Sequence, residues 1–101
     1  MDIATLTAYV EGLDQQVKET RQGNSTDDGV REAIRRTMLG YLEEFPPESL
    51  TRLPPLLRQD REQSMALLRQ LPALDWLGEA KYEVLQEGVQ LLKRLLGQAA
   101  A

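Results

Sequence analysis

Residues 30–45, VREAIRRTMLGYLEEF, and the Pro46-Pro47 pair that follows them decide the fold class. The side chains that could form a core recur every three or four residues, which is the spacing of one face of an α-helix. The members of this stripe are Val30, Ala33, Ile34, Thr37, Met38, Tyr41, Leu42 and Phe45. Proline lacks the amide hydrogen and keeps the preceding residue out of the helical region, so the helix should end at the pair. The stretch therefore predicts a helix with one side in a hydrophobic core.

The same period appears in the first residues of the chain. The stripe there consists of Ile3, Leu6, Val10, Leu13 and Val17, at spacings of 3, 4, 3 and 4. Asp2 precedes the stripe in the position of a helix N-cap. We predict a helix over residues 3–22, which ends at the turn-forming residues 23–28, GNSTDD.

A third helix is predicted over residues 56–71, ending before Pro72. A later start at Asp60 is an alternative, because Asp60 and Gln63 fit a capping box. The preceding segment, residues 46–55, is bracketed by two proline pairs and has room for at most a short turn of helix.

The fourth predicted helix covers residues 76–96, with Asp75 as its N-cap. Gly97 favours the left-handed geometry that ends a helix, and residues 98–101 should fray. Nothing in the chain alternates in the manner of a β-strand. We therefore predict an all-α protein with one domain over residues 1–101. The predicted architecture is a four-helix up-and-down bundle, with the short proline-bracketed segment crossing one end.

Composition restricts the function. The 101 residues are 42% hydrophobic and 28% charged, which is typical of a globular domain. The 16 acidic and 12 basic side chains give a net charge of −4, which disfavours nucleic acid and anionic membrane surfaces as partners. No apolar run approaches the roughly 18 residues that span a bilayer, and the first residues lack the pattern of a signal peptide. We expect a cytoplasmic protein without membrane insertion.

The chain has few of the residue types that enzymes use in catalysis. The chain has no cysteine and no histidine, so it lacks thiol nucleophiles, imidazole bases and the usual zinc ligands. The acidic pairs Asp27-Asp28 and Glu43-Glu44 have the residue type of two-carboxylate sites, but adjacent side chains on a helix point in different directions. A helix N-terminus and a solvated helix face explain these pairs more simply. We predict no catalytic residue, no cofactor, no metal site and no enzymatic activity.

Two leucine motifs of the Leu-x-x-Leu-Leu type occur at residues 53–57 and 92–96. Short helices with this pattern dock into grooves of partner proteins. Leucine-rich helices also produce the pattern by chance, and core packing is the simpler interpretation of both.

Glycines at positions 12, 40, 78 and 88 fall inside predicted helices. Each glycine lowers the stability of a helix by up to about 1 kcal/mol relative to alanine, so a structural or functional role would explain its presence. Close approach of two helices is the commoner reason, and contact with a ligand is the rarer one.

The fourth predicted helix has more apolar surface than one core requires, because its apolar residues cover about 200 degrees at about 100 degrees per residue. One seam contains Leu77, Ala80, Val84, Gly88, Leu91 and Leu95, and we assign it to the core. The other seam contains Tyr82, Leu85, Val89, Leu92 and Leu96, with the spacing of a helix-pairing surface. We predict that this second seam is exposed in the monomer and is the protein-binding site. The alternative is that the second and third helices cover both seams.

These observations favour a non-catalytic protein–protein interaction module: an adaptor, assembly factor or regulatory subunit. Its partner would be another protein, most simply a second copy in a homodimer. A carrier of an apolar small molecule or pigment in the bundle core is the alternative. In that case Trp76, Tyr9, Tyr41 or Tyr82 would stack on the ligand.

The central part of the chain also shows a resemblance. The residues that carry it are 30–42, then Phe45-Pro46-Pro47-Glu48-Ser49-Leu50, then Arg61-Glu62 leading to Leu67-Leu68. Together they resemble a small helical family of unknown function in cyanobacteria and chloroplasts, over roughly half of the chain. Asp75-Trp76-Leu77 departs from the Gly-Tyr pair expected there. The resemblance implies a photosynthetic host, and no activity, catalytic residue or cofactor.

Overall fold

The structure is a computed structural model that describes residues 2–22, 28–71 and 78–100. All regular structure within these ranges is helical, which confirms the all-α prediction. The helices are α1 (Ile3–Gln22), α2 (Asp28–Glu43), α3 (Pro47–Leu50), α4 (Pro55–Gln70) and α5 (Gly78–Ala100). Helix α3 is a single turn between the two proline pairs, as the segment between them predicts, and the other four helices are long.

Helix α1 begins as predicted. The amide of Thr5 donates a hydrogen bond of 2.7 Å to Oδ1 of Asp2, which is the N-cap interaction. This bond stabilises the ionised carboxylate and so lowers the pKa of Asp2.

The predicted start of α4 at Leu56 is one residue from the observed start at Pro55, and the alternative start at Asp60 is wrong, because proline at the first helical position loses no hydrogen bond. The predicted end of α5 is also wrong. Helix α5 continues through Gly97 to Ala100, since the residues after the glycine favour the helix. The predicted N-cap Asp75 lies outside the described residues.

The hydrophobic core lies between the four long helices. Helix α5 contacts α1, α2 and α4, and α2 also contacts α1 and α4. Helix α1 packs more extensively against α5 than against α2. The residues with 2% exposure or less are Leu6, Val10, Leu13, Val17, Met38, Leu42, Phe45, Leu68, Leu85, Val89, Leu92 and Leu95. The stripe of α1 is therefore buried as predicted, with Ile3 half-buried at its edge.

Among the glycines whose surroundings the structure describes, Gly88 is the one that packs closely against another helix, α2. A Cβ atom added to Gly88 would overlap Sδ of Met38, which is fully buried. The same atom added to Gly12 or Gly40 would contact nothing. Close helix packing therefore explains Gly88 but not Gly12 or Gly40. The surroundings of Gly78 lie outside the described part.

Two arginines join α2 and α4 in a reciprocal way. Nη1 of Arg35 in α2 donates to the carbonyl oxygen of Leu68 at 3.0 Å, in the last turn of α4. Nε of Arg61 in α4 donates to the carbonyl oxygen of Leu42 at 2.8 Å, in the last turn of α2. Carbonyls in the last turn have no partner within their own helix. Each of the two helices therefore completes the hydrogen bonding of the other, which requires them to run antiparallel.

A second polar contact joins α1 and α5. Nζ of Lys93 lies 2.6 Å from Oδ2 of Asp14, and Nζ of Lys18 lies 3.2 Å from the same oxygen. The residue Asp14 is only 8% exposed. The hydrogen bond from Lys93 is the largest cause that lowers the pKa of Asp14.

Candidate protein-binding surface

The predicted protein-binding seam on α5 is not exposed. Its members are Tyr82, Leu85, Val89, Leu92 and Leu96, and their exposed fractions run from 0% to 6%. The expectation of exposure is wrong because three helices, α1, α2 and α4, pack against α5 and cover this seam. The five side chains belong to the core of the single chain.

The other seam of α5 is also largely covered. Leu91 and Leu95 are buried, Gly88 is buried against α2, and Val84 is half-buried. Leu77 and the side chain of Ala80 lie outside the described part. The alternative interpretation, in which neighbouring helices cover both seams, is the one that the described residues follow, with α1 as an additional cover.

The leucine motifs are not displayed as docking helices. In residues 53–57, Leu53 is buried and precedes the first turn of α4, whereas Leu56 is 74% exposed. In residues 92–96, all three leucines are buried. Neither motif presents three leucines together on one exposed helix face, so core packing is the correct interpretation of the second motif.

The acidic pairs do not form a site. Glu43 and Glu44 are both exposed, and Glu43 lies 3.7 Å from Nη2 of Arg69. Asp27 lies outside the described residues, and Asp28 begins α2. Within the described ranges, no group of three or more acidic side chains could hold a metal ion.

Surplus apolar surface lies instead between α1 and α2. Of the three large hydrophobic side chains that are exposed in the described residues, two flank this side: Tyr9 of α1, 51% exposed, and Val30 of α2, 42% exposed. Tyr9 stacks on Tyr41 of α2, with ring centroids 6.2 Å apart and planes 7° from parallel. Burial, and to a lesser extent the neighbouring Tyr9, raises the pKa of Tyr41.

A groove lies further along the two helices, one helical turn from Tyr41 at Thr37. Its volume is about 480 Å³, and it is lined by Gln16, Glu19, Thr20, Val30, Ala33, Ile34 and Thr37. Of these, only Glu19 carries a charge. We call the groove, together with Tyr9 and Tyr41, the α1–α2 face.

The open groove has a cause in the packing. Helix α1 contacts α5 more extensively than it contacts α2, and part of the apolar stripe of α2 is left uncovered beside α1. Four members of the predicted α2 stripe lie there with partial or full exposure: Val30, Ala33, Thr37 and Tyr41. Only Ile34, Met38, Leu42 and Phe45 of that stripe are buried.

A signal for this surface was present in the sequence. At about 100 degrees per residue, the stripe from Ala33 to Leu42 covers about 180 degrees of α2. That width exceeds a core-facing stripe in the same way as the arc on α5 does. The comparison of stripe widths therefore identifies two helices with surplus apolar surface, and only the packing shows which surplus is buried.

None of the helices in the described ranges is long and apolar enough to pass through a lipid bilayer. Comparisons with protein-family models, with curated proteins and with solved structures found no match to this chain.

Proposed function

We propose that this chain is a non-catalytic protein–protein interaction module, an adaptor, assembly factor or regulatory subunit, that binds its partner through the α1–α2 face. One observation carries the proposal: the exposed Val30 lines a groove that has a single charged residue among its described lining, and the exposed Tyr9 stacks on Tyr41, one helical turn beyond the groove residue Thr37. Exposed apolar side chains that cluster in a concave surface are typical of protein interaction sites. The absence of cysteine and histidine from the chain supports the non-catalytic part.

The architecture that we propose for the module is an up-and-down four-helix bundle. Three contacts support antiparallel neighbours: Tyr9 with Tyr41, and the two arginine contacts between α2 and α4. In an antiparallel hairpin of α1 and α2, the groove runs parallel to both helix axes. A helix from a partner protein can lie in such a groove with apolar side chains every three or four residues.

A matched pair of arginine substitutions tests this proposal. Ala33 lies in the groove and Ala66 lies on α4, and both are exposed alanines inside helices. Ala33→Arg places a long charged side chain in the groove without disturbing the core, so partner binding should fall at least about tenfold. Ala66→Arg adds the same charge elsewhere and should leave binding unchanged.

The measurement is capture from a host lysate with the wild-type chain and the two variants, followed by a titration of the captured protein. Equal capture by the Ala33 and Ala66 variants would contradict the assignment to the α1–α2 face. An absorption spectrum of the purified chain tests the alternative function, because a bound pigment would favour the carrier. We further propose a cytoplasmic location in a photosynthetic host, which the lack of cysteine and the family resemblance support.

A further inference from the structure

The tyrosine pair of the α1–α2 face has a geometry that determines its chemistry. Tyr9 and Tyr41 stack with ring centroids 6.2 Å apart and planes 7° from parallel, which is within the range of contacting aromatic pairs. Tyr9 is 51% exposed, whereas Tyr41 is half-buried beside it. An oxidant in solution therefore reaches one ring, and the second ring lies directly next to the first.

Other side chains that oxidants attack are absent or covered in the described part of the chain. Cysteine, the residue that is oxidised most readily, does not occur, and neither does histidine. The sulfur side chains of Met38 and Met65 are buried, with residue exposures of 0% and 4%. Tyr82 is also buried, at 6%. Among the described residues, Tyr9 is thus the side chain that combines ready oxidation with wide exposure.

Phenol rings that are oxidised next to each other join through carbon. Each phenol gives one electron and its hydroxyl proton to a one-electron oxidant and becomes a phenoxyl radical, whose unpaired electron has density on the ortho carbons. Two such radicals pair their electrons in a bond between ortho carbons, and the hydrogen on each of these carbons then leaves as a proton while each ring oxygen takes one up. The pair loses two electrons and two protons overall. A haem peroxidase passes both electrons to one molecule of hydrogen peroxide, which takes up two protons and becomes two molecules of water.

The fold favours coupling within one chain over coupling between two chains. Tyr9 and Tyr41 belong to helices that contact each other, so each ring meets the other at an effective concentration of at least about 1 mM. In a solution of about 10 µM protein, the ring of another molecule is about a hundredfold more dilute. Rotation of the exposed Tyr9 about its side-chain bonds brings the ortho carbons together without disturbing the core. An intramolecular bond is therefore the expected product.

We propose that Tyr9 and Tyr41 form an oxidative modification site, at which an oxidant of the peroxidase class joins the two rings through a bond between their ortho carbons. The product, a dityrosine, links α1 to α2 beside the groove of the α1–α2 face. A covalent link between residues 9 and 41 closes a loop in the unfolded chain, so it stabilises the folded state in the way that a disulfide does. The pair thus provides a covalent crosslink in a chain that has no cysteine. The inference does not depend on the proposed function.

Oxidation of the full chain with a haem peroxidase and an equimolar amount of hydrogen peroxide tests the site. We expect the blue fluorescence of dityrosine and a monomer whose mass is lower by two hydrogen atoms. A tryptic digest should contain a fragment in which residues 1–18 are joined to residues 37–52. The modified monomer should also unfold at a higher urea concentration than the untreated chain.

Three conservative variants provide the controls, and circular dichroism before oxidation verifies that each is folded. Tyr9→Phe keeps the ring and removes the hydroxyl group, so the crosslink should be lost. Tyr41→Phe leaves the exposed Tyr9 without a phenol partner in its own chain, so any crosslink that it forms joins two molecules and doubles the mass. Tyr82→Phe should crosslink as the wild type does, because this ring is buried.

The outcomes separate the proposed site from other oxidation products. A bond that joins two wild-type chains in preference to one, or a bond that contains Tyr82, would overturn the inference. The same holds for a wild-type product that gains oxygen without losing the two hydrogen atoms, and for a Tyr9→Phe variant that still crosslinks within the monomer. The capture experiment with the Ala33→Arg variant uses unoxidised protein, so its result is independent of these.

Discussion

The close contact between Gly88 and Met38 predicts that one methyl group at this position destabilises the protein. Alanine at Gly88 gains about 1 kcal/mol of helix propensity. Its Cβ atom, however, would overlap Sδ of Met38, and the fully buried methionine has to move within a packed core. Overpacking of this kind costs about 1 to 3 kcal/mol, so Gly88→Ala should lower the free energy of unfolding by about 1 kcal/mol.

Urea denaturation followed by circular dichroism measures this change, and the corresponding fall in Tm is about 4 to 8 °C for a domain of this size. Gly12→Ala is the matched control. Nothing lies within 4 Å of a Cβ at Gly12, so this substitution should raise the free energy of unfolding by about 0.5 to 1 kcal/mol.

A second background separates the contact from other effects of the substitution. Met38→Val removes the sulfur atom and leaves a shorter apolar side chain in the core. In that background Gly88→Ala should become stabilising, which gives a coupling free energy of about 1 to 3 kcal/mol between the two positions. If Gly88→Ala stabilises the wild-type chain as much as Gly12→Ala does, the contact with Met38 is not a steric limit and the reasoning fails.

Three further predictions concern polar and buried positions. Arg61→Ala removes the hydrogen bond on the last turn of α2 and should lower the free energy of unfolding by about 1 to 2 kcal/mol, whereas Arg69→Ala, whose ion pair is exposed and 3.7 Å long, should change it by less than about 0.5 kcal/mol in the same urea assay. The pKa of Glu32 lies at about 2 because the guanidinium of Arg35 donates hydrogen bonds to its carboxylate. The contribution of Glu32 to stability is therefore fully present above pH 4.5 and is lost as the pH falls towards 2. The stability difference between the wild type and Glu32→Gln should therefore be larger at pH 7 than at pH 2.5, and a pH-independent difference would refute this role. Val89→Glu combined with Leu92→Glu should unfold the chain, because both side chains are fully buried, and a native circular dichroism spectrum would contradict their place in the core.

The sequence predicted the helices well because each one has a stripe that must face apolar neighbours. The stripe from Leu6 to Val17 is buried, and the proline pairs separate α2, α3 and α4 as expected. The sequence left the start of α4 open between Leu56 and Asp60 because a proline pair can end one helix and begin the next, and Pro55 does the latter. Local patterns do not distinguish these two uses.

The binding surface could not be located from the sequence for a different reason. A periodic pattern gives the angular width of an apolar stripe, but the number and closeness of the helices that cover it depend on the packing of the whole chain. The arc on α5, which contains Val89, is covered from three sides, while part of the stripe on α2, which contains Val30, is left open beside α1. The partners of Arg35 and Arg61 on the neighbouring helix are backbone carbonyls, for which no residue pattern exists.

The reciprocal arginine contacts between α2 and α4 have a consequence for local opening of the structure. When either helix detaches, both hydrogen bonds break together. The carbonyl of Leu68 in α4 loses Arg35 of α2, and the carbonyl of Leu42 in α2 loses Arg61 of α4. Partial opening of one helix therefore removes hydrogen bonds from both, and the lowest-energy opening is a joint one. In native-state hydrogen exchange, the protected amides of α2 and α4 should share one opening free energy and one dependence on denaturant, even though the two helices are separate in sequence. The two helices then form a single cooperative unit, held in register by two guanidinium groups.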